Sequence, residues 1–300
     1  MSVAEPDIAG FAARFAPNIE RCLSGAALSG PHAAPEALAA AMRHGALNGG
    51  KRLRPLLVVE TAGVFGVPEA DAMPAAVAVE LIHCFSLVHD DLPAMDDDDL
   101  RRGQPTVHKA FDEATAILAG DALHSHAFSI LADEKTHPDV SVRLALVGEL
   151  AAAAGAGGMA GGQQLDLEGE RGGFSDTEIA TMQMMKTGAL IRAAVRMGAL
   201  IGGSRPDALA ALTHYGEAAG RAFQLADDIL DLTATPEQMG KATHKDEGRN
   251  KPTLVARIGL DGAQRHLGEQ IHHALSALSM FGPEADGLRA IARYFAVRER

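Results

Sequence analysis

The sequence predicts an all-α fold, and three observations predict it. Apolar residues recur every three or four positions through most of the chain, while strict alternation is scarce. Apolar types make up 47% of the 300 residues but aromatics only 4%, with no Trp, so the interior must be built from Ala, Leu, Val, Ile and Met. Glycine numbers 32, which suits helices packed closely over small residues.

The helical periodicity covers 36–47, 54–65, 75–89, 114–132, 141–167, 177–202, 207–232 and 263–278. The first segment ends at "LNGGKRLRP" and the second at "GVPEAD"; the third runs into "HDDLPAMDDDDLRRG". Later segments stop at "EKTHPD", "GERGGFSD", "GGSRPD" and "MFGPEAD", each rich in the Gly, Pro and Asp of turns. None of these breaks is long enough to be a linker, so a single domain over 1–300 is expected.

Composition also excludes functions. A net charge of -12 and a pI near 5.5 argue against a nucleic-acid partner, which needs a positive surface to displace counterions. Cys22 and Cys84 lie far apart without metal-ligand spacing, which suits a reducing compartment and no structural disulfide. The amino terminus "MSVAEPDIAGFAARF" lacks the basic, apolar and cleavage-site succession of an export signal, so a cytoplasmic location is expected. The most lipid-like run, "LAAAAGAGGMAGG" at 150–162, is short of a bilayer span, so no stable membrane insertion is expected.

The densest chemistry lies at 90–99, where six aspartates fall within ten positions and Arg101 and Arg102 follow. Neighbouring carboxylates repel by roughly 1 kcal/mol per pair at about 4 Å in water, so cations must compensate them. Asp90 and Asp96 would point about 120° apart on an ideal helix, but Pro93 disrupts the helix between them and lets Asp96 swing back. A second motif, "FQLADDILD" at 223–231, echoes "FSLVHDDLPAMD" at 85–96. There Asp227 and Asp231 share a helix face, with Asp228 beside them. Oxygen-only ligands from few carboxylates select a hard cation such as Mg²⁺, which keeps waters and shares a substrate's phosphates. Asp97, Asp98 and Asp99 read instead as a solvated acid run.

The basic residues form a counterpart. "GGKRLRP" sets Lys51, Arg52 and Arg54 on a Gly-Gly turn leading into a helix, a seat for an anion but not a P-loop. Lys186 and Thr187 in "MKTGAL", Lys241 in "GKATHKD" and Lys251 in "RNKPTL" could converge on phosphate oxygens, or lie on the surface. His83, two turns before the acids, is either a satisfied core histidine or a phosphate donor. Gln163, Asp166 and Gln224 are polar on apolar helical segments, for buried hydrogen bonding or for lining a reaction centre.

Taken together, "GGKRLRP", "HCFSLVHDDLPAMDDDDLRRGQPTVHK", "AGDAL", "GGQQLDL", "KTGALI", "FQLADDILD" and "GK...KPTL" resemble, in order, the trans-isoprenyl diphosphate synthases, more narrowly the bacterial short-chain enzymes. The resemblance implies one all-α domain of antiparallel helices around a deep central cavity, both acidic motifs facing its mouth, in a homodimer. It implies Mg²⁺, three ions with substrate bound and replaceable by Mn²⁺, on Asp90, Asp96 and Asp227, with Asp91, Asp228 and Asp231 ligating or supporting. Arg101, Lys186, Thr187, Gln224 and Lys241 would hold the allylic diphosphate. Lys51, Arg54, His83 and Arg102 would hold isopentenyl diphosphate, with Lys251 in the lid segment. His244 and Pro252, where many relatives carry small residues, leave that lid's contacts open.

The implied chemistry is ionisation of an allylic diphosphate, attack by the isopentenyl double bond and loss of a proton, with the released diphosphate as base. No side-chain nucleophile is needed. In the resembling family a bulky aromatic at the position of Phe85, five residues before Asp90, stops growth at fifteen carbons; Ser86 adjoins it. Farnesyl diphosphate is therefore the expected product, with geranyl or geranylgeranyl diphosphate as alternatives and core packing as the bland role for Phe85. A terpene cyclase would lack the second basic seat, and a non-catalytic subunit of a heteromeric synthase would tend to lose an aspartate motif.

Overall fold

The computed structural model describes residues 7–24, 28, 32–233 and 254–297, and these are almost wholly helical. They divide into two compact units: Asp7–Leu56 with Met73–Leu144, and Leu57–Ala72 with the residues from Ala145 onward.

In the first unit, α1 (Ile8–Cys22) opens on Asp7, whose carboxylate accepts the N–H of Gly10 at 2.9 Å. This helix lies outside the segments expected from the periodicity, although Phe11, Phe15 and Ile19 are spaced by one turn and completely buried. It packs on α2 (Glu36–Leu47), which in turn packs on α5 (Val107–Ala110) and α6 (Glu113–Ala132). Gly45 of α2 lets the backbone approach α4 (Glu69–Asp90), since a Cβ there would lie 2.7 Å from Val88. Between α4 and α5 a hairpin pairs β1 (Leu100–Arg101) with β2 (Gln104–Pro105), the one departure from an all-helical chain among the described residues. Its turn residues Arg102 and Gly103 have φ of 54° and 77°, the mirror-image turn whose twist matches two paired strands.

The second unit holds the end of α3 (Leu53–Val64), then α8 (Met159–Gly169), α9 (Asp176–Gln183), α10 (Ala189–Ile201), α11 (Pro206–Thr233), α12 (Leu254–Ala277) and α13 (Asp286–Val297). α11 packs against α10, α12 and α13. The expected helix 141–167 is two helices, α7 (Val140–Ala154) and α8, because Gly155, Gly157 and Gly158 supply no helix propensity at the junction. The expected helix 177–202 is interrupted by one π-helical turn, Met184–Gly188. α12 begins nine residues earlier than 263, kinked at Gly259 with φ 73°. α13 was not anticipated, yet it buries Leu288, Ile291 and Phe295 along one stripe.

Among the described residues two helical stretches are long and apolar enough to cross a membrane, Glu69–Asp90 and Val140–Gly169. The first spends that character on the protein interior, being 67% buried, whereas the second is 22% buried. Tyr215 is completely buried and its hydroxyl donates to the carbonyl of Leu288 at 2.7 Å, joining α11 to α13. Tyr215→Phe should lower unfolding free energy by about 1 kcal/mol in urea titration, with the helical signal unchanged.

Candidate functional site

The first acidic motif begins where α4 ends. After Asp90 the chain turns through Leu92, Pro93 and Ala94, and the N–H of Asp96 returns to donate to the carbonyl of Asp90 at 2.7 Å. The return expected from Pro93 is thus present, and it brings the backbones of Asp90 and Asp96 together. The N–H of Asp98 donates to Asp91 O at 3.2 Å, so the acid run is a compact turn rather than an extended charge tail.

Its charges are divided by direction. Asp91 is 3% exposed and accepts two hydrogen bonds from Arg101, the one from Nε at 3.0 Å, while Asp98 accepts from the same guanidinium at 3.4 Å. Burial raises the pKa of Asp91, and Arg101 opposes that rise. Asp98 is therefore not part of a solvated run, as expected from sequence, but an inward partner of Arg101. Asp99 is exposed and pairs with Lys109 at 2.8 Å. Asp90 and Asp96 are half-buried, neither in the interior with Asp91 nor fully in solvent.

The basic turn lies in the same unit. Gly49 and Gly50 have φ of 89° and 109°, and Arg52 follows at 52°, a region that a non-glycine residue enters at a cost of order 1–3 kcal/mol. Arg102 covers this turn, donating to Gly49 O and, at 3.1 Å, to Asn48 Oδ1. The φ of 109° explains the glycine at position 50, where a Cβ would also meet the Arg102 guanidinium at 2.5 Å. Arg52 departs from the anion-seat expectation: it is 5% exposed and ion-paired with Glu80 of α4. His83, one turn on from Glu80, has its pKa pushed well down, first by burial and then by Arg54, Arg102, Arg52 and Arg101. Four guanidinium groups therefore act on one neutral imidazole, about 10 Å along α4 from Asp90 at 1.5 Å per residue.

Phe85 and Ser86 follow on α4. Phe85 is half-buried and meets the rings of His89 and His124 edge-on, at centroid separations of 5.3 and 5.0 Å. Ser86 Oγ donates to His83 O at 2.9 Å, so it is engaged with its own helix.

In the second unit, α11 carries Gln224, Asp227, Asp228 and Asp231. Asp228 is 6% exposed and accepts from Gln183 Nε2 at 2.8 Å and Gln224 Nε2 at 2.7 Å, so it braces the helix rather than facing outward. Asp227 and Asp231 are half-buried, four residues apart. The π-helical turn holds Lys186 and Thr187; Lys186 Nζ donates to Asp166 Oδ2 at 2.6 Å. A Cβ on Gly162 would lie 2.1 Å from the backbone nitrogen of Lys186, so α8 touches this turn backbone to backbone. Such π turns occur often at functional sites. The amide of Gln163 is buried without a hydrogen-bond partner among the described residues.

Among the described residues no group of three or more His, Cys, Asp and Glu side chains is arranged to hold a metal alone. The donor chemistry nevertheless fits Mg²⁺: each motif offers carboxylate oxygens only, and this ion takes few protein ligands beside waters and phosphate oxygens. Lys241, His244, Lys251 and Pro252 lie outside the described residues.

Comparison with known proteins decides the family. The polyprenyl synthetase family profile matches residues 35–279. The chain belongs to the polyprenyl synthetase family. It is 47% identical to a farnesyl diphosphate synthase of Escherichia coli K12 over 265 residues, 86% of this chain and 88% of that one. It is 40% identical to a chloroplastic geranylgeranyl pyrophosphate synthase of Catharanthus roseus over 262 residues, 86% of this chain and 73% of that one. Its fold matches the apo crystal structure of an FPP/GFPP synthase from Zymomonas mobilis, with a TM-score of 0.84 and 42% identity over 96% of this chain and 99% of that one.

Sequence reading missed Glu80, Gln183 and His124. The first had a signal, a lone acid in the apolar run "AVAVELIHCF"; the other two meet Asp228 and Phe85 only through tertiary packing. Arg101→Met should destabilise the fold by roughly 3 kcal/mol at neutral pH, because it leaves Asp91 buried without its cation. Burial alone would then hold the Asp91 carboxyl pKa above its unfolded value, so the folded state binds more protons. The deficit should therefore shrink as pH falls below that raised pKa and reach its full size above it, in urea titrations across pH. A deficit independent of pH would refute the role given to Arg101.

Proposed function

We propose that this family member is a Mg²⁺-dependent prenyltransferase that condenses isopentenyl diphosphate with dimethylallyl and then geranyl diphosphate, giving farnesyl diphosphate and releasing diphosphate. The observation that carries the reading is the basic Gly49–Arg54 turn, covered by Arg102, in the same compact unit as the acidic turn at Asp90–Asp96. It supports a second diphosphate seat beside an acidic, metal-type motif, as a two-substrate condensation needs and a cyclase does not.

In this reading Lys51, Arg54, His83 and Arg102 hold isopentenyl diphosphate. His83, kept neutral, contributes a hydrogen bond rather than a charge. Arg101, Lys186, Thr187, Gln224 and Lys241 hold the allylic diphosphate, and Lys251 is a further substrate-binding residue. Asp90, Asp96 and Asp227 ligate Mg²⁺, supported by Asp91, Asp228 and Asp231. When bound, the metal supplies Lewis-acid stabilisation of the departing diphosphate. Arg101 and Lys186 place fixed positive charge where that negative charge grows, and no side chain need form a covalent bond.

Phe85 is the reading's limit on chain length. It is half-buried with its ring fixed between two imidazoles, which supports a wall more than simple core filling. Relatives named for longer products belong to the same family, so membership alone does not set the length. The cytoplasmic homodimer is also part of the proposal. Ile117, Leu118, Val140 and Leu144 are 45%, 57%, 66% and 71% exposed, apolar area that a second copy would cover.

The test is mass spectrometry of products from isopentenyl diphosphate and Mg²⁺ with dimethylallyl, geranyl or farnesyl diphosphate. Accumulation at fifteen carbons, with farnesyl diphosphate inert, is expected; no condensation would overturn the reading. Asp227→Asn should lower kcat by about a hundredfold or more. Phe85→Ala should lengthen the product, and an unchanged product with retained turnover would remove Phe85 from its role. Sedimentation equilibrium should show a dimer that Leu144→Glu weakens.

A further inference from the structure

An acid beside an anion seat works against anion binding unless its charge is committed elsewhere. Glu80 is such an acid, one turn before His83 on α4 and 2% exposed. Its carboxylate accepts from Arg52 Nη1, while Arg52 Nη2 donates to the carbonyl of Ala46, in the last turn of α2, at 2.7 Å. The carbonyl of Arg52 accepts the N–H of Leu56 at 3.1 Å, closing the first turn of α3. Arg52 thereby ties together the end of α2, the start of α3 and the middle of α4, all with its own backbone in the left-handed region at φ 52°.

A non-glycine residue stays in that region only where its surroundings over-determine it. Here the two side-chain attachments of the guanidinium do so. A buried ion pair adds little net stability over well-packed apolar residues of the same volume, so its consequence is better sought in the conformation that it selects. That conformation is the turn from Gly49 to Arg54. Lys51 adjoins Arg52 and Arg54 lies two residues on, so the path of both backbones follows from where Arg52 is held. Lys51, Arg52, Arg54, Glu80 and His83 all belong to the same compact unit.

We propose that Glu80 is a positioning residue for the isopentenyl diphosphate seat. Through Arg52 it holds the left-handed turn that carries Lys51 and Arg54, and it touches no substrate. The inference rests on the function proposed above and adds a division of labour: of the three cations in "GGKRLRP", the central one is structural and its neighbours bind.

The test is initial-rate kinetics on the full chain, varying isopentenyl and geranyl diphosphate in turn. Glu80→Gln keeps the shape and removes the charge. The KM for isopentenyl diphosphate should rise about tenfold or more while that for geranyl diphosphate stays within about twofold. Arg52→Lys, which keeps a charge but not the two-pronged attachment, should act in the same direction and serves if Glu80→Gln does not fold. A lower melting temperature with both KM values unchanged, or a parallel rise in both, would reduce the pair to general stability and overturn the inference. A wild-type protein that does not condense isopentenyl with geranyl diphosphate would sink the proposed function. An active wild type with Glu80→Gln kinetically unchanged would sink only the role of Glu80.

Discussion

Internal neutralisation of crowded charge governs the chemistry-bearing parts of this protein. Arg101 stands between Asp91 and Asp98 inside the acidic turn, and Glu80 stands against Arg52 beneath the basic one. Two carboxylates and one guanidinium are turned inward in the first place, and one charge of each sign in the second. Burying either partner alone would cost several kcal/mol, so the pairs form together with the fold around them. Their effect is to sort like charges by direction. Asp91 and Asp98 face their cation, and Arg52 faces its acid.

Backbone geometry does the complementary work. The carbonyl of Asp90 accepts from Asp96, the mirror-image turn at Arg102 and Gly103 returns the chain for β2, and Gly50 lies against the Arg102 guanidinium. In the second unit Gly162 and Gly220 bring two helices against the π-helical turn: a Cβ on Gly220 would lie 2.9 Å from Gly188 Cα. The high glycine and alanine content is thus a packing requirement at these contacts as well as a helix preference. Polar residues in such a setting need partners, and Asp228 with Gln183 and Gln224, or Lys186 with Asp166, supply them.

Membership of the polyprenyl synthetase family and the electrostatics of α4 bear on function in different ways. The family match covers most of the chain and includes relatives named for products of different length. The guanidinium groups that act on His83 are a local feature that family membership alone does not describe. The two imidazoles against Phe85 are equally local.

The sequence by itself determined the helical class, most helix boundaries and the two acidic motifs. These depend on period, on turn residues and on short spacings, all of which are properties of neighbouring positions. α1 and α13 fall outside the expected segments although Phe11, Phe15 and Ile19, or Leu288, Ile291 and Phe295, carry the same period. The break at Gly155–Gly158 and the π-helical turn at Met184–Gly188 were beyond a periodicity argument, because a helical stripe continues across either. Only the tertiary structure decided which of several equivalent charges turns inward. Asp91, Asp98 and Arg52 look like their neighbours in the chain. Their roles follow from partners 10, 3 and 28 residues away, which burial and not local preference selects.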